Sequence, residues 1–273
     1  MNSIKRSQLE DILLQDCQLG DNDLVLISES DCHVDGTFVI HSLLSLYQKE
    51  NYNICFLAIS QSISHYLSVS KKIATDLKPS IDSNKLIMVD GLKLLGLSVV
   101  KDCVDMNIQS IQDIETDFED VFRKNSLQKL LDLLNSNVDK LYSQSNGSPT
   151  VLMIDNISFL LTLGISFKDI VIFCHSLSQH LKETSCGTLV MLSSVYGEDD
   201  KSEALTNYFK HISSTCLEIN SLSSGYCKDV HGELRITRKR KLERQKKIEK
   251  TLQFKISDKS IKLWALGLSS AVL

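Results

Sequence analysis

Short, almost uninterrupted apolar runs alternate along this chain with longer stretches of helical spacing, and no other feature constrains the fold as much. Leu24-Val25-Leu26-Ile27-Ser28, Ile54-Cys55-Phe56-Leu57-Ala58-Ile59, Lys85-Leu86-Ile87-Met88-Val89-Asp90, Thr150 to Asp155 and Thr188 to Val195 are too short for ordinary helices. They are also too continuous for strands with one solvated face. Strands read this way when helices cover both faces of a parallel sheet. Between them Phe38, Leu43, Leu44 and Tyr47 mark a helix running to about Lys49, and a second runs from about Ile63 to Leu77, where Pro79 helps to end it. Leu127, Leu130, Leu131, Leu134, Val138 and Leu141 follow an N-cap at Ser126, and Phe167, Ile170, Val171, Cys174, Leu177 and Leu181 give one more amphipathic helix.

After the strand Ser214 to Ile219 the period changes. His231 to Ile236, Leu252 to Ile256 and Ile261 to Ala265 alternate apolar with polar residues, as half-exposed antiparallel strands do, and Asp258-Lys259 is the expected hairpin turn. The expected fold class is therefore α/β, of the RecA-like P-loop NTPase type, with a mostly parallel central sheet closed by C-terminal antiparallel strands. A flavodoxin-like or plain Rossmann-type sheet is the alternative. At 273 residues the chain lies near the upper limit for one core, and a single domain over 1–273 is expected, with an acidic insertion at 102–120 and a basic loop at 238–250.

In that fold class the turn after the first strand holds phosphates with a GxxxxGK[ST] loop, whose backbone N–H groups face the anion while the lysine neutralises it. The corresponding stretch here is Glu29-Ser30-Asp31-Cys32-His33-Val34-Asp35-Gly36-Thr37. Gly36 and Thr37 keep part of the pattern, Ser30 and Asp35 belong to the same degenerate loop, and the first glycine and the lysine are missing. Three carboxylates replace it, and like charges a few ångströms apart repel by about 4 kcal/mol at an effective dielectric near 20. Asp155 ends the Val151-Leu152-Met153-Ile154 run, the position of a magnesium-binding aspartate, although an aspartate there often only caps the following turn. Ser60-Gln61-Ser62 offers no carboxylate to activate water. Histidines at 33, 41, 65, 175, 180, 211 and 231 show no metal-binding spacing, so the expectation is no catalytic site, no cofactor and no metal.

Charge is unevenly spread. Arg238 to Lys250 carries eight basic and two acidic residues, a local +6 against a chain total of −4, leaving −10 for the remainder. Arg238, Lys239, Arg240, Lys241, Arg244, Lys246 and Lys247 could track a nucleic-acid backbone, without an aromatic residue to stack on bases. A solvated loop or a nuclear localisation signal are the competing readings. The eight cysteines lack CxxC spacing and several sit in apolar runs, which suits the reducing cytoplasm and nucleus. No apolar stretch approaches the roughly 20 residues a membrane span needs.

Three blocks carry a resemblance: Asp35-Gly36-Thr37-Phe38-Val39-Ile40-His41; Cys55-Phe56-Leu57-Ala58 with Gln61-Ser62-Ile63-Ser64-His65-Tyr66; and Ser224-Gly225-Tyr226-Cys227-Lys228-Asp229-Val230-His231-Gly232-Glu233-Leu234-Arg235-Ile236. With the ending Asp258-Lys259-Ser260 through Ser270-Ala271-Val272-Leu273, they resemble the Elongator complex protein 6 family. The resemblance implies a RecA-like fold without working nucleotide motifs. It implies a six-membered ring with Elongator subunits four and five, two copies of each, that binds tRNA and supports the catalytic Elongator subcomplex. The carboxymethyl-type modification of wobble uridines would reside in another subunit. Tyr226, Lys228, Asp229 and Arg235, in the block most like the family, would be interface or RNA contacts, with Gly225 and Gly232 as turn glycines. A divergent ATPase completing its site across a ring interface is the rival reading.

Overall fold

A computed structural model describes residues 6–15, 23–30, 33–73, 75–94, 117–145, 148–185, 187–196, 199–222, 225, 227–239, 248–257 and 260–266, with only the backbone at 117–126 and 185. The strands are β1 (Leu24–Glu29), β2 (Asn53–Ala58), β3 (Leu86–Asp90), β4 (Thr150–Ile154), β5 (Thr188–Ser194), β6 (Thr215–Asn220), β7 (Gly232–Arg238), β8 (Ile248–Ser257) and β9 (Ser260–Ala265). They form one sheet in the order β3-β2-β4-β5-β1-β6-β7-β8-β9. Pairing is parallel from β3 to β6 and antiparallel from β6 to β9, as the change of hydrophobic period requires.

The helices are α1 (Gln8–Gln15), α2 (Thr37–Lys49), α3 (Ile63–Lys72), α4 (Lys78–Asp82), α5 (Asp117–Gln144), α6 (Phe159–Thr162), α7 (Phe167–Ser185) and α8 (Asp200–Ile212). Alternate strand residues feed two cores. Val25, Ile27, Ile54, Phe56, Met153 and Leu192 join the side chains of α1 to α3 on one face. Leu26, Cys55, Leu57, Leu152, Ile154 and Met191 join α5, α7 and α8 on the other. Burying both faces of each central strand explains their continuous apolar character.

Several local expectations change. α2 is buried along Phe38 to Tyr47 rather than on one stripe, because it lies between α1 and the sheet. α3 stops at Lys72, and Pro79 opens α4 instead of ending α3, in keeping with proline's fit to a first helical turn. α5 begins at Asp117, inside the acidic insertion and before Ser126. Asp258 and Lys259 lie outside the described residues. Gly225 has a left-handed φ of 83°, as a turn glycine should. Gly232 does not sit in a turn: it starts β7, where a Cβ would come within 2.6 Å of the Asn220 carbonyl oxygen and 2.9 Å of the Phe254 ring. Gly232→Ala is therefore expected to destabilise the protein by about 1–3 kcal/mol through overpacking of β6–β8, measured by chemical denaturation.

Candidate functional site

β1 lies between β5 and β6, yet the chain leaves it through α2 to reach β2 on the far side of β5 and β4. Strand direction of travel reverses at β1, and the crevice beyond the carboxyl ends of such strands is where open α/β sheets bind ligands. The turn from β1 to α2 and the residue after β4 both face this crevice, so the topology brings Glu29, Asp35, Gly36, Thr37 and Asp155 to one end of the sheet.

The amides that would hold phosphate are taken by the chain itself. Gly36, the N-cap of α2, donates its N–H to Glu29 Oε1 at 2.6 Å. Thr37 donates its N–H to Asp35 Oδ1 at 2.8 Å and its hydroxyl to the same oxygen at 2.6 Å. The first N–H groups of a helix are its natural anion site, and here Asp35 holds the first of them while Glu29 holds the N-cap amide. The fit is close, since Glu29 Cγ and the Ile219 Cδ1 each lie 3.2 Å from where a Gly36 Cβ would be. Ser30 donates its backbone N–H to the Ile219 carbonyl at 3.0 Å, which ties the turn to β6. Asp31 and Cys32 lie outside the described residues.

Asp155 has likewise become structural. It is fully buried, and its Oδ1 accepts from the N–H of Ile59 (2.7 Å) and Ser60 (3.2 Å). Its Oδ2 accepts from Ser60 N–H (3.0 Å) and hydroxyl (3.1 Å), Gln61 N–H (3.2 Å) and the Tyr66 hydroxyl (3.0 Å). Burial pushes this carboxyl above the usual range while the ring of donors pulls it back. The Tyr66 phenol is pushed up by burial and by Asp155. A carboxylate so surrounded has no lone pair left for a metal, and it locks the β2–α3 turn to β4. Residues Ser60 and Gln61, where a water-activating carboxylate would sit, serve as its donors.

Other polar side chains at this end of the sheet bond one another. Asn156 Nδ2 donates to Ser194 Oγ (2.7 Å) and Tyr196 Oη (3.0 Å), and Ser158, Ser193 and Thr206 are linked through their hydroxyls at 2.9 and 2.7 Å. His41, on the first turns of α2, stacks near Tyr66 with ring centroids 5.2 Å apart. Burial, reinforced by His65 and opposed by Asp35, lowers its pKa from 6.5 to about 4. No group of metal-ligating side chains forms among the described residues.

The other expected site residues scatter. Arg238 pairs with the buried Asp23 carboxylate at 3.2 Å and bonds Thr215 Oγ1, so it belongs to the sheet. Lys239 caps the carboxyl end of α8 by donating to the carbonyls of Lys210 and His211. Lys228 and Arg235 are exposed, and Asp229 pairs with Lys255 at 2.8 Å, which holds its carboxyl below the usual range. Tyr226, Arg240, Lys241, Arg244, Lys246 and Lys247 lie outside the described residues. Tyr66 as the partner of Asp155, and Glu29 as the partner of Gly36, are what sequence reasoning misses. A buried carboxylate facing the amides of a neighbouring turn is a three-dimensional relation with no fixed spacing.

Fold and site together define a RecA-like α/β protein whose turn after β1 bonds two of its amides to its own carboxylates. The fold matches the crystal structure of a KaiC-like protein from Pyrococcus horikoshii with a TM-score of 0.57, at 12% identity over 89% of this chain and 90% of that one. A family model described as Elongation complex protein 6 matches residues 8–258, and the chain belongs to that family. Elongator complex protein 6 of Rattus norvegicus is 32% identical over 263 residues, covering 89% of this chain and 91% of that protein. The Homo sapiens protein of that name is 31% identical at the same coverage, and that of Dictyostelium discoideum is 20% identical, covering 89% and 90%.

The bonding at the site sets two expected outcomes. Asp155→Ala strands several buried N–H groups and should cost at least about 3 kcal/mol in a urea melt. Because His41 is harder to protonate folded than unfolded, its contribution to stability is complete above pH 6.5 and is lost as pH falls toward 4. His41→Phe should remove up to about 3 kcal/mol of that decline, read as a flatter stability profile between those pH values.

Proposed function

We propose that this chain is a non-catalytic subunit of the Elongator complex, working over 1–273 as one RecA-like domain in a hetero-hexameric ring with Elongator subunits four and five. The ring binds tRNA and supports the catalytic Elongator subcomplex, which adds carboxymethyl-type groups to wobble uridines. Family membership supports the assembly. The observation that carries the non-catalytic reading is the occupation of the Gly36 and Thr37 amides by Glu29 and Asp35, which takes two donors from a phosphate and sets carboxylates in its place. The protein would work in the cytoplasm and nucleus.

The tRNA contact is assigned to the basic segment beyond Lys239, at Arg240, Lys241, Arg244, Lys246 and Lys247, because Arg238 and Lys239 already have internal partners. Tyr226, Lys228, Asp229 and Arg235 are assigned as further contacts for RNA or a neighbouring subunit.

Native mass determination of the complex isolated with this chain should give two copies each of three subunits, and calorimetry should detect no ATP binding to the isolated chain. ATP binding that Asp155→Ala abolishes would instead support a divergent ATPase. Replacing the five basic residues with Ala should weaken tRNA binding by the ring and shrink its salt slope by about 1 for each phosphate no longer neutralised. An unchanged slope would leave the chain as a scaffold only.

A further inference from the structure

Among the described residues the sheet ends at β9, and the first residue of α1 sits against that edge. Leu263 faces Phe254 of β8 in the antiparallel register. Its own backbone groups point the other way: its N–H donates to Gln8 Oε1 at 3.0 Å and its carbonyl accepts from Gln8 Nε2 at 2.7 Å. One side-chain amide thus supplies the donor and the acceptor that a residue of a tenth strand would supply. By the two-residue period of a strand, the backbone groups of Ile261 and Ala265 face the same edge.

Gln8 is held there firmly. α1 buries Leu9 and Leu13 completely, Glu10 pairs with Lys49 at 2.8 Å, and Arg6 pairs with Glu50. An unpaired edge is a template for another strand, and Ser260-Ile261-Lys262-Leu263-Trp264-Ala265 can pair antiparallel with its own copy about a two-fold axis at Leu263. We propose that Gln8 guards the β9 edge, occupying Leu263 so that a second copy of this chain cannot add its β9 there. Removing the amide opens a self-complementary edge, and the intact chain must assemble through its other surfaces.

The test is self-association of the full chain by sedimentation velocity, with circular dichroism to follow folding. Gln8→Ala should lower the dissociation constant for self-association at least about tenfold relative to the unmodified chain. Adding Ala265→Pro, which deletes an edge-facing N–H without touching the β8 ladder, should return it to the starting value. The proposal fails if Gln8→Ala does not associate more than the unmodified chain. It fails equally if the double variant associates as strongly as Gln8→Ala, because aggregation from a loosened α1 would not respect the edge.

Discussion

A backbone N–H at the carboxyl end of a parallel sheet has to find an acceptor, and which acceptor it finds decides whether the sheet end is a binding site or a piece of the core. In this chain the acceptors are internal carboxylates. Glu29 and Asp35 take the amides that begin α2, and Asp155 takes three consecutive amides of the β2–α3 turn. Each satisfies a need that a bound phosphate or metal would otherwise meet.

This bonding also bears on what else the crevice can hold. With the helix N-terminus already carrying a carboxylate, a further anion would meet repulsion instead of an electrostatic well, and a lysine there would have no phosphate to balance. The serine and threonine hydroxyls of Ser158, Ser193 and Thr206 close on one another, as buried polar groups do. Burial is the dominant influence that holds His41 uncharged at neutral pH, with the rings of Tyr66 and His65 beside it.

Much of the fold was legible in the residues because hydrophobic period responds directly to how many faces a strand buries. The continuous runs at Ile54–Ile59 and Thr150–Asp155 are central strands, and the alternation at Leu252–Ile256 marks the antiparallel end. Element limits were less legible. α5 reaches back to Asp117 through residues whose acidic composition reads as loop, and α1 is too short for its period to stand out, although Leu9, Ile12 and Leu13 have helical spacing. At the site, the missing lysine and the intruding carboxylates were visible as residue types. Their bonding was not, because Glu29 reaches Gly36 around a turn and Asp155 reaches Ser60 from another strand. The basic run likewise reads as one unit, yet Arg238 closes against Asp23 and Lys239 against the end of α8, contacts set by where β7 and α8 meet in space.

The first helix and the last strand meet at the edge of the sheet, and that placement bears on how such a protomer can assemble. A sheet of nine strands has two edges whatever its interior does, and a protein meant for ordered assembly gains nothing from an edge that accepts any strand. Here α1 does not merely lie over β9; it feeds Leu9 and Leu13 into the same core as β7 and β8 while its first residue meets the Leu263 backbone. The apolar contacts fix the helix, and the helix fixes the amide. Specificity at the edge therefore depends on packing beneath it, just as the turn after β1 depends on strands that hold each carboxylate within reach of its amides.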